Sequence, residues 1–197
     1  MIPIDERLYV LRQDAQKRGE PILRDKSFEL LLKKVKEVNP KYILEVGTNE
    51  GLSGVAMLLA CETARLTGIE IDENKYNVAK KNYKLFCVSD RAKIFLGDAS
   101  EIIPVLTGNY DFIFLDGPKG HYFEYCAYLL PLLNKGGILF ADDVYFHGMI
   151  KGDAPHKHAT IKNSMEKFLK VITEDGRLHT NIYDIEDGIS VTQRIEL

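Results

Sequence analysis

Hydrophobic and polar residues alternate along the chain in blocks that predict helices and strands in turn. Apolar residues recur at helical spacing from Phe28 to Val35, and the pair Asn39-Pro40 is typical of a helix end. Short, almost entirely apolar segments follow at intervals, and they predict strands that are buried on both faces. These segments are YILEV (42–46), LTGIEI (66–71), AKIFLG (92–97), YDFIFL (110–115) and GGILFA (136–141).

Helical patterns separate the predicted strands. The segment SGVAMLLAC (53–61) is apolar throughout, and a second helix presents Tyr76, Ala79, Tyr83 and Phe86 on one face. A chain that alternates buried strands with helices favours a parallel sheet with helices covering it.

The C-terminal part of the chain has a different pattern. The segments LHTNIYDI (178–185) and GISVTQRI (188–195) are separated by a gap too short for a crossover, so they predict an antiparallel hairpin. We therefore predict an α/β fold: a Rossmann-like, seven-stranded, mostly parallel sheet with a reversed last strand and helices on both faces. The polar segment 146–163 has no clear period and is predicted to be a mobile loop or lid.

Composition narrows the class of protein only slightly. The 197 residues are predicted to form one domain over 1–197, with 1–21 as an N-terminal helical extension. A net charge of −3 predicts no general affinity for nucleic acid or anionic membranes, although a local basic patch would be compatible with it. No apolar run approaches the ~20 residues needed to span a bilayer, and no leader pattern opens the chain.

The cysteines indicate a reducing compartment. Cys61, Cys87 and Cys126 are odd in number, far apart and without C-x-x-C spacing. This pattern argues against a disulfide framework or a zinc site, so we predict a cytoplasmic protein.

The turn after the first strand carries the first candidate binding site. In LEVGTNEGLSG (44–54), Gly47 and Gly51 would let the backbone turn sharply and approach a ligand. The helix that begins near Ser53 would favour a carboxylate or phosphate at its N-terminus. The spacing G-x-x-x-G-x-x-G differs from the G-x-G-x-x-G of dinucleotide-binding proteins, which argues against a nicotinamide-dependent oxidoreductase.

Acidic residues follow the next two strands. Glu70 could accept hydrogen bonds from both ribose hydroxyls, and Asp98-Ala99 would lie where a nucleobase edge is expected. This series suits a nucleoside that carries an amino acid, as in S-adenosyl-L-methionine. Taken singly, each feature could be an ordinary turn glycine or a solvated strand end, but their occurrence at successive strand ends favours the cofactor.

Three further carboxylates follow the fourth and fifth strands. Asp116 ends the fourth strand, and Asp142 and Asp143 end the fifth. If these strands are neighbours, the carboxylates converge, and oxygen ligands of this kind suit Mg²⁺. The alternative is that Asp143 caps the next turn and only Asp142 lines the pocket.

Lys119 follows Asp116 by three residues, and Tyr122 follows Lys119 by three. A lysine beside a metal ion could act as a general base if its pKa is lowered. Alternatively it is an ordinary surface lysine. His156 and His158 form an H-x-H pair with no suitable third ligand nearby, so a solvated loop is predicted there.

Several of these segments together resemble the class I S-adenosylmethionine-dependent methyltransferases. Within that class the chain is similar, from about residue 22 to its end, to the cation-dependent O-methyltransferases, which include catechol and caffeoyl-CoA methyltransferases. Small bacterial members that methylate 5-hydroxyuridine in tRNA are also similar. The matching segments are ILEVGTNEGLSG, GIEID, GDASEIIPVL, YDFIFLDGPKGHY, LLNKGGILFADDVYFHG and DGISVT.

The resemblance implies roles for particular residues. It implies S-adenosyl-L-methionine and a divalent cation, Mg²⁺, as cofactors, and a homodimer. Asp116, Asp142 and Asp143 would bind the metal, Lys119 would be the base beside Asp116, and His147 would touch substrate. The cofactor would be bound by Glu45, Gly47, Thr48, Gly51, Ser53, Glu70, Asp98, Ala99, Asp116 and Tyr122.

The chain also departs from the family pattern at three positions. Asp143 stands where Asn is usual, Pro118 stands where plant enzymes have an acidic residue, and His147 stands where Asn or Lys is common. The change at Asp143 concerns metal binding, the one at Pro118 concerns a cofactor contact, and the one at His147 concerns the substrate.

The expected reaction is methyl transfer to a hydroxyl that lies next to a second oxygen. The acceptor would be 5-hydroxyuridine in tRNA or a small catechol or phenol. The retained Lys119 and carboxylate trio argue against a non-catalytic RNA-binding module, and the glycine spacing argues against an oxidoreductase.

Overall fold

A single mixed sheet organises the computed structural model, which describes residues 5–145, 148 and 158–195. Its strand order is β3-β2-β1-β4-β5-β7-β6. The described strands are β1 (Tyr42–Val46), β2 (Arg65–Glu70), β3 (Ala92–Leu96), β4 (Tyr110–Leu115), β5 (Leu133–Ala141), β6 (Leu178–Tyr183) and β7 (Ile189–Arg194).

Helices connect most of these strands. The described helices are α1 (Glu6–Lys17), α2 (Asp25–Val38), α3 (Leu52–Ala60), α4 (Glu73–Leu85), α5 (Ala99–Ile102), α6 (Tyr122–Leu132) and α7 (Ala159–Glu174), with 3₁₀ turns at Ser89–Arg91, Ile103–Val105 and Lys119–His121. None of them is both long and apolar enough to cross a bilayer.

The direction of the strands matches the prediction. β1 pairs in parallel with β2 and β4, and the parallel pairs β2–β3 and β4–β5 extend the sheet on either side. β7 runs antiparallel to both β5 and β6, which confirms a reversed last strand. The chain order reverses between β1 and β4, so a ligand crevice is expected at the carboxyl ends of these two strands.

The core lies on both faces of the sheet because residues alternate along each strand. Ile43 and Phe112 pack with α1 to α4 on one face, whereas Leu44 and Ile113 pack with α6 and α7 on the other. These four side chains have no exposed surface, which is typical of a strand covered on both sides. The helices on both faces are therefore confirmed.

The start of α2 is held by the opposite end of the chain. Arg24 at the N-cap makes no side-chain capping bond, but Glu186 in the β6–β7 turn accepts from the backbone N–H groups of Lys26 and Ser27, each at 3.2 Å. A carboxylate at this position satisfies N–H groups that an α-helix leaves unpaired. The hairpin turn is thereby brought to the carboxyl edge of the sheet.

The segment predicted as a mobile loop needs correction where it is described. Helix α7 begins at Ala159, so 159–163 is helical and contributes an amphipathic face rather than a loop. Residues 146, 147 and 149–157 lie outside the described residues.

The three cysteines are free thiols in the structure.

Candidate active site

The turn after β1 packs against the main chain of the neighbouring strands at the carboxyl edge of the sheet. The N–H groups of Gly47 and Thr48 both donate to the carbonyl of Ile69, at 3.1 and 3.0 Å. Gly47 has a φ of +91°, and a Cβ there would collide with the carbonyl oxygen of Asp116. Glycine is therefore required at this position by conformation and by space. The turn is pressed against the residues that follow β4.

Glu45 lies beneath this turn and has no exposed surface. It accepts hydrogen bonds from Ser53 Oγ at 2.5 Å and from Tyr83 Oη at 3.4 Å. Burial raises the pKa of Glu45 to about 8, although the surrounding hydroxyl groups favour its charged form. The structure holds Glu45 beneath the turn, beside the partly exposed Ser53, and its predicted cofactor contact stays a prediction.

One cleft gathers the residues predicted to hold the nucleoside. It has a volume of about 120 Å³, and its lining includes Gly47, Glu70, Ile71, Asp98, Ala99 and Tyr125. The Glu70 carboxylate is fixed by the N–H groups of Asn49 at 2.6 Å and Asp72 at 2.8 Å. The Asp98 side chain accepts from the N–H of Ser100 and so caps α5. This hydrogen bond is the main reason that the pKa of Asp98 lies below its usual value. The structure thus brings together strand ends that are far apart in sequence.

A second cleft continues past Gly47 toward the carboxylates. It is lined by Arg12, Pro21, Thr48, Asn49, Ser53 and Asp116, among others. Gly51, also buried, starts α3 at a φ of +77° and packs against Ala79. Asn49 Oδ1 is buried and has no hydrogen-bond partner within the described residues. Because buried polar atoms are normally paired, this atom fits a polar ligand in this cleft.

The three predicted carboxylates lie together at the ends of β4 and β5. The N–H of Asp116 donates to Val46, and that of Asp142 donates to Leu115, so the two aspartates follow paired strand positions. Burial, and then the charges of Asp116 and Asp143, raise the pKa of Asp142 well above its usual value. Burial also raises the pKa of Asp116. The convergence expected from the strand ends is present.

Two cations meet these carboxylates. Lys119 Nζ lies 3.0 Å from Asp116 Oδ1 and 4.0 Å from Asp143 Oδ2, and Arg24 Nη2 lies 3.3 Å from Asp143 Oδ1. Lys119 Nζ also donates to Tyr122 Oη at 2.8 Å. Lys119 is thus a largely enclosed ammonium group rather than an open surface lysine, with 13% of its side chain exposed.

The electrostatics of Lys119 differ from the sequence-based expectation. Burial by itself would lower the pKa of this ammonium group, but Tyr122 and the three carboxylates raise it well above its usual value. A role as general base requires the opposite shift. The lowered pKa on which that prediction depends is therefore corrected for the protein as the structure describes it.

The same cluster is where the sequence predicts a metal ion. Within the described ranges, no set of three His, Cys, Asp or Glu side chains is arranged as a metal site. Asp116 and Asp143 are paired with Lys119 and Arg24. The donor set itself consists of three carboxylates that carry more negative charge than these two cations balance, and such oxygen donors suit a hard divalent cation.

Tyr122 holds the Lys119 ammonium group in position. It has no exposed surface, its hydroxyl donates to the carbonyl of Leu115 at 2.9 Å, and its ring packs edge-on against Phe168. In the structure this residue positions Lys119, and the predicted cofactor contact from Tyr122 stays a prediction. His147 and His156 lie outside the described residues.

Sequence reasoning missed two arginines at this site. Arg24 precedes α2 and reaches Asp143 across 119 positions of sequence, and Arg12 on α1 lines the second cleft. In the sequence, Arg24 is marked by its position directly before a helix that has no capping side chain. Such a signal is weak, because only the tertiary structure shows which partner the arginine meets.

Comparison with known protein families and sequences finds related methyltransferases. The sequence profile of the O-methyltransferase family matches residues 10–195. Caffeoyl-CoA O-methyltransferase of Stellaria longipes is 28% identical over 177 residues, covering 85% of this chain and 73% of the relative. Tapetum-specific methyltransferase 1 of Arabidopsis thaliana is 28% identical over 169 residues, covering 82% of this chain and 72% of the relative.

Solved structures extend the comparison. A Staphylococcus aureus structure, provisionally named a caffeoyl-CoA O-methyltransferase, has a TM-score of 0.87 at 25% identity, covering 95% of this chain and 91% of that one. The Podospora anserina methyltransferase PaMTH1, bound to S-adenosylhomocysteine, has a TM-score of 0.85 at 24% identity, covering 97% and 88%. The second likeness shows the shared fold.

The fold, the glycine turn and the acidic strand ends thus define an enzyme of the S-adenosylmethionine-dependent class. The chain belongs to the O-methyltransferase family, and it resembles the members named for caffeoyl-CoA. The oxidoreductase and RNA-binding alternatives are set aside by this membership.

Proposed function

We propose that this enzyme methylates a hydroxyl that lies next to a second oxygen, with a divalent cation bound at the carboxylate cluster. One observation supports both parts: Asp116, Asp142 and Asp143 converge beside Lys119 at the end of the cofactor cleft. A cluster with excess negative charge at this place suits a cation, and a cation suits an acceptor with two neighbouring oxygens.

The two bound groups would supply distinct chemistry. S-adenosyl-L-methionine carries a methyl group on a positively charged sulfur, and a divalent cation lowers the pKa of a hydroxyl that it binds. Asp116, Asp142 and Asp143 would hold the cation, which we propose to be Mg²⁺. The lining of the two clefts would hold the cofactor.

The protein's own part is to orient the acceptor and to receive its proton. Lys119 Nζ would take the proton of the acceptor hydroxyl, with Tyr122 and Asp116 holding the amine in place. This role requires the pKa of Lys119 to fall, and neutralising the carboxylates that now raise it would have that effect. Loss of Lys119 should therefore reduce methyl transfer more than cofactor binding.

Two acceptors share the proposed chemistry. One is 5-hydroxyuridine in tRNA, where the hydroxyl lies beside a carbonyl, and the other is a small catechol. The names of the relatives favour a phenolic acceptor. The resemblance to bacterial tRNA-modifying members favours the nucleoside, so both belong in the same experiment.

The experiment measures transfer of a labelled methyl group to each acceptor, with and without Mg²⁺, after chelator treatment. We expect product from one acceptor only when metal is restored, and we expect Asp116→Ala to abolish this metal-dependent product. Asp90→Ala is a matched control, because Asp90 is an exposed aspartate in the 3₁₀ turn that precedes β3. Full turnover in chelator would refute the cation, and methylation of neither acceptor would refute the proposed substrate class.

Oligomeric state is a separate proposal. The homodimer implied by the family resemblance stays a prediction, and light scattering of the purified protein would test it.

A further inference from the structure

Arg12 is an unusual residue for the N-terminal helix because its charge is buried. Only 4% of its surface is exposed, and its guanidinium group lies 3.7 Å from the centre of the Phe28 ring. Nη2 donates to the carbonyl of Leu23 at 2.7 Å and to Asp25 Oδ1 at 3.0 Å. The guanidinium plane is thus fixed on one side by an aromatic ring and on another by two acceptors.

Part of this cation is left for a ligand. The hydrogen bonds that Arg12 makes within the described residues all leave from Nη2, so Nε and Nη1 are available as donors. Its carboxylate partner, Asp25, is 75% exposed and compensates a buried charge only weakly. Burial accordingly lowers the pKa of Arg12 despite Asp25 and the more distant Glu186. A buried, undercompensated cation gains from a second anion.

The cleft beside Arg12 has groups that can bind a carboxylate and a group that can bind an ammonium ion. Arg12 lines it together with Thr48, Asn49 and Asp116. Asn49 Oδ1 is an acceptor that is buried without a partner within the described ranges. The Thr48 hydroxyl faces Glu45 and favours the charged form of that carboxyl, so it is already engaged. Glu50 also lines the cleft, but its two oxygens are occupied by Arg18, each at 2.8 Å. Donors and acceptors for a carboxylate and an ammonium group therefore lie in one place.

We propose that Arg12 is the receptor for the carboxylate of the cofactor's amino-acid part. Asn49 Oδ1 would accept from the ammonium group. This inference depends on the S-adenosylmethionine cofactor, but it does not depend on the acceptor or on a metal ion. It gives α1 a direct part in the active site, which the sequence did not suggest.

The test compares two ligands that differ only in the amino-acid part. S-adenosylhomocysteine carries it, and 5′-methylthioadenosine lacks it. Calorimetric titration of Arg12→Met should show S-adenosylhomocysteine binding weakened by roughly 10- to 100-fold, as for loss of a charged hydrogen bond. The affinity for 5′-methylthioadenosine should remain within about twofold of the unaltered protein.

The controls separate recognition from packing. Arg7→Met removes an arginine of the same helix that also lies over an aromatic ring, Phe86, but has its carboxylate partner at the surface, so both affinities should be unchanged. Should Arg12→Met fail to fold by circular dichroism, Arg12→Gln keeps a donor for the Leu23 carbonyl and should show the same selective loss. Equal weakening of both ligands, or unchanged binding of S-adenosylhomocysteine, would overturn the proposal.

Discussion

The two ends of the active-site cleft are built in different ways. At the nucleoside end, Gly47, Glu70 and Asp98 are fixed mainly by backbone N–H groups of nearby turns. At the other end, the fixed groups are charged side chains from distant parts of the chain, with Lys119 and Arg24 set against three carboxylates. The first end is therefore shaped by local conformation, and the second by long-range electrostatics.

This difference has a consequence for substitutions. A change at the nucleoside end should alter cofactor binding through geometry, whereas a change at the charged end should alter chemistry with little effect on the cofactor. Gly47 is the position where the two ends meet, because its turn packs against the main chain of Asp116.

Gly47→Ala should have the largest effect, because a Cβ there collides with backbone and φ is +91°. We expect a loss of about 4 kcal/mol in the free energy of unfolding and no measurable S-adenosylhomocysteine binding. Urea unfolding and calorimetry would measure these. Gly108→Ala is the control, since φ is +111° there but no atom lies within 4 Å of the added Cβ. Similar losses in the two variants would show that strain, not contact with Asp116, dominates.

Glu45→Gln should remove a pH dependence that belongs to the nucleoside end. Burial raises the pKa of Glu45 from its usual 4.5 to about 8, so the folded protein holds a proton that the unfolded chain releases. Stability from this group is thus present at low pH and is lost as pH rises from about 4.5 to about 8, by roughly 3 to 4 kcal/mol between pH 5 and pH 8. Urea unfolding at pH 5 and pH 8 should show this fall shrinking in Glu45→Gln. An unaltered fall would place its origin in other groups.

Tyr122→Phe should separate chemistry from cofactor binding. It removes the hydroxyl that accepts from Lys119 at 2.8 Å and donates to Leu115. We expect a stability loss of roughly 1–2 kcal/mol, a fall in turnover of about tenfold, and unchanged S-adenosylhomocysteine affinity. Tyr125→Phe is the matched control, because the Tyr125 hydroxyl lies 3.4 Å from Ser100 in the nucleoside cleft. A larger loss of turnover in the control would contradict the proposed division.

Arg24→Gln should have the smallest effect on stability. The side chain is 52% exposed, and its 3.3 Å contact with Asp143 is open to solvent and salt. We expect the free energy of unfolding to change by less than about 0.5 kcal/mol in urea titrations. A loss above about 1 kcal/mol would mean that the pair is shielded more strongly than its exposure indicates.

The order of elements followed from the sequence alone. Apolar strands separated by helical patterns predicted β1 to β5 within a few residues, because burial on both faces requires a nearly continuous apolar run. The short link between β6 and β7 predicted the hairpin, since no crossover fits in it. Gly47, Glu70 and Asp116 were also found from sequence, because each follows a strand at the edge where parallel strands meet.

Only the tertiary structure decided how these groups are surrounded. It placed Arg24 beside Asp143, buried Glu45 and Tyr122, and brought Arg12 to the cleft that Thr48 and Asn49 also line. It also reversed the expected shift in the pKa of Lys119. Periodicity is a property of neighbouring residues and can be read from the chain, whereas burial and charge depend on residues that meet only after folding. The sequence determined which chemical groups reach the active edge, and the folded structure determined their charge and accessibility.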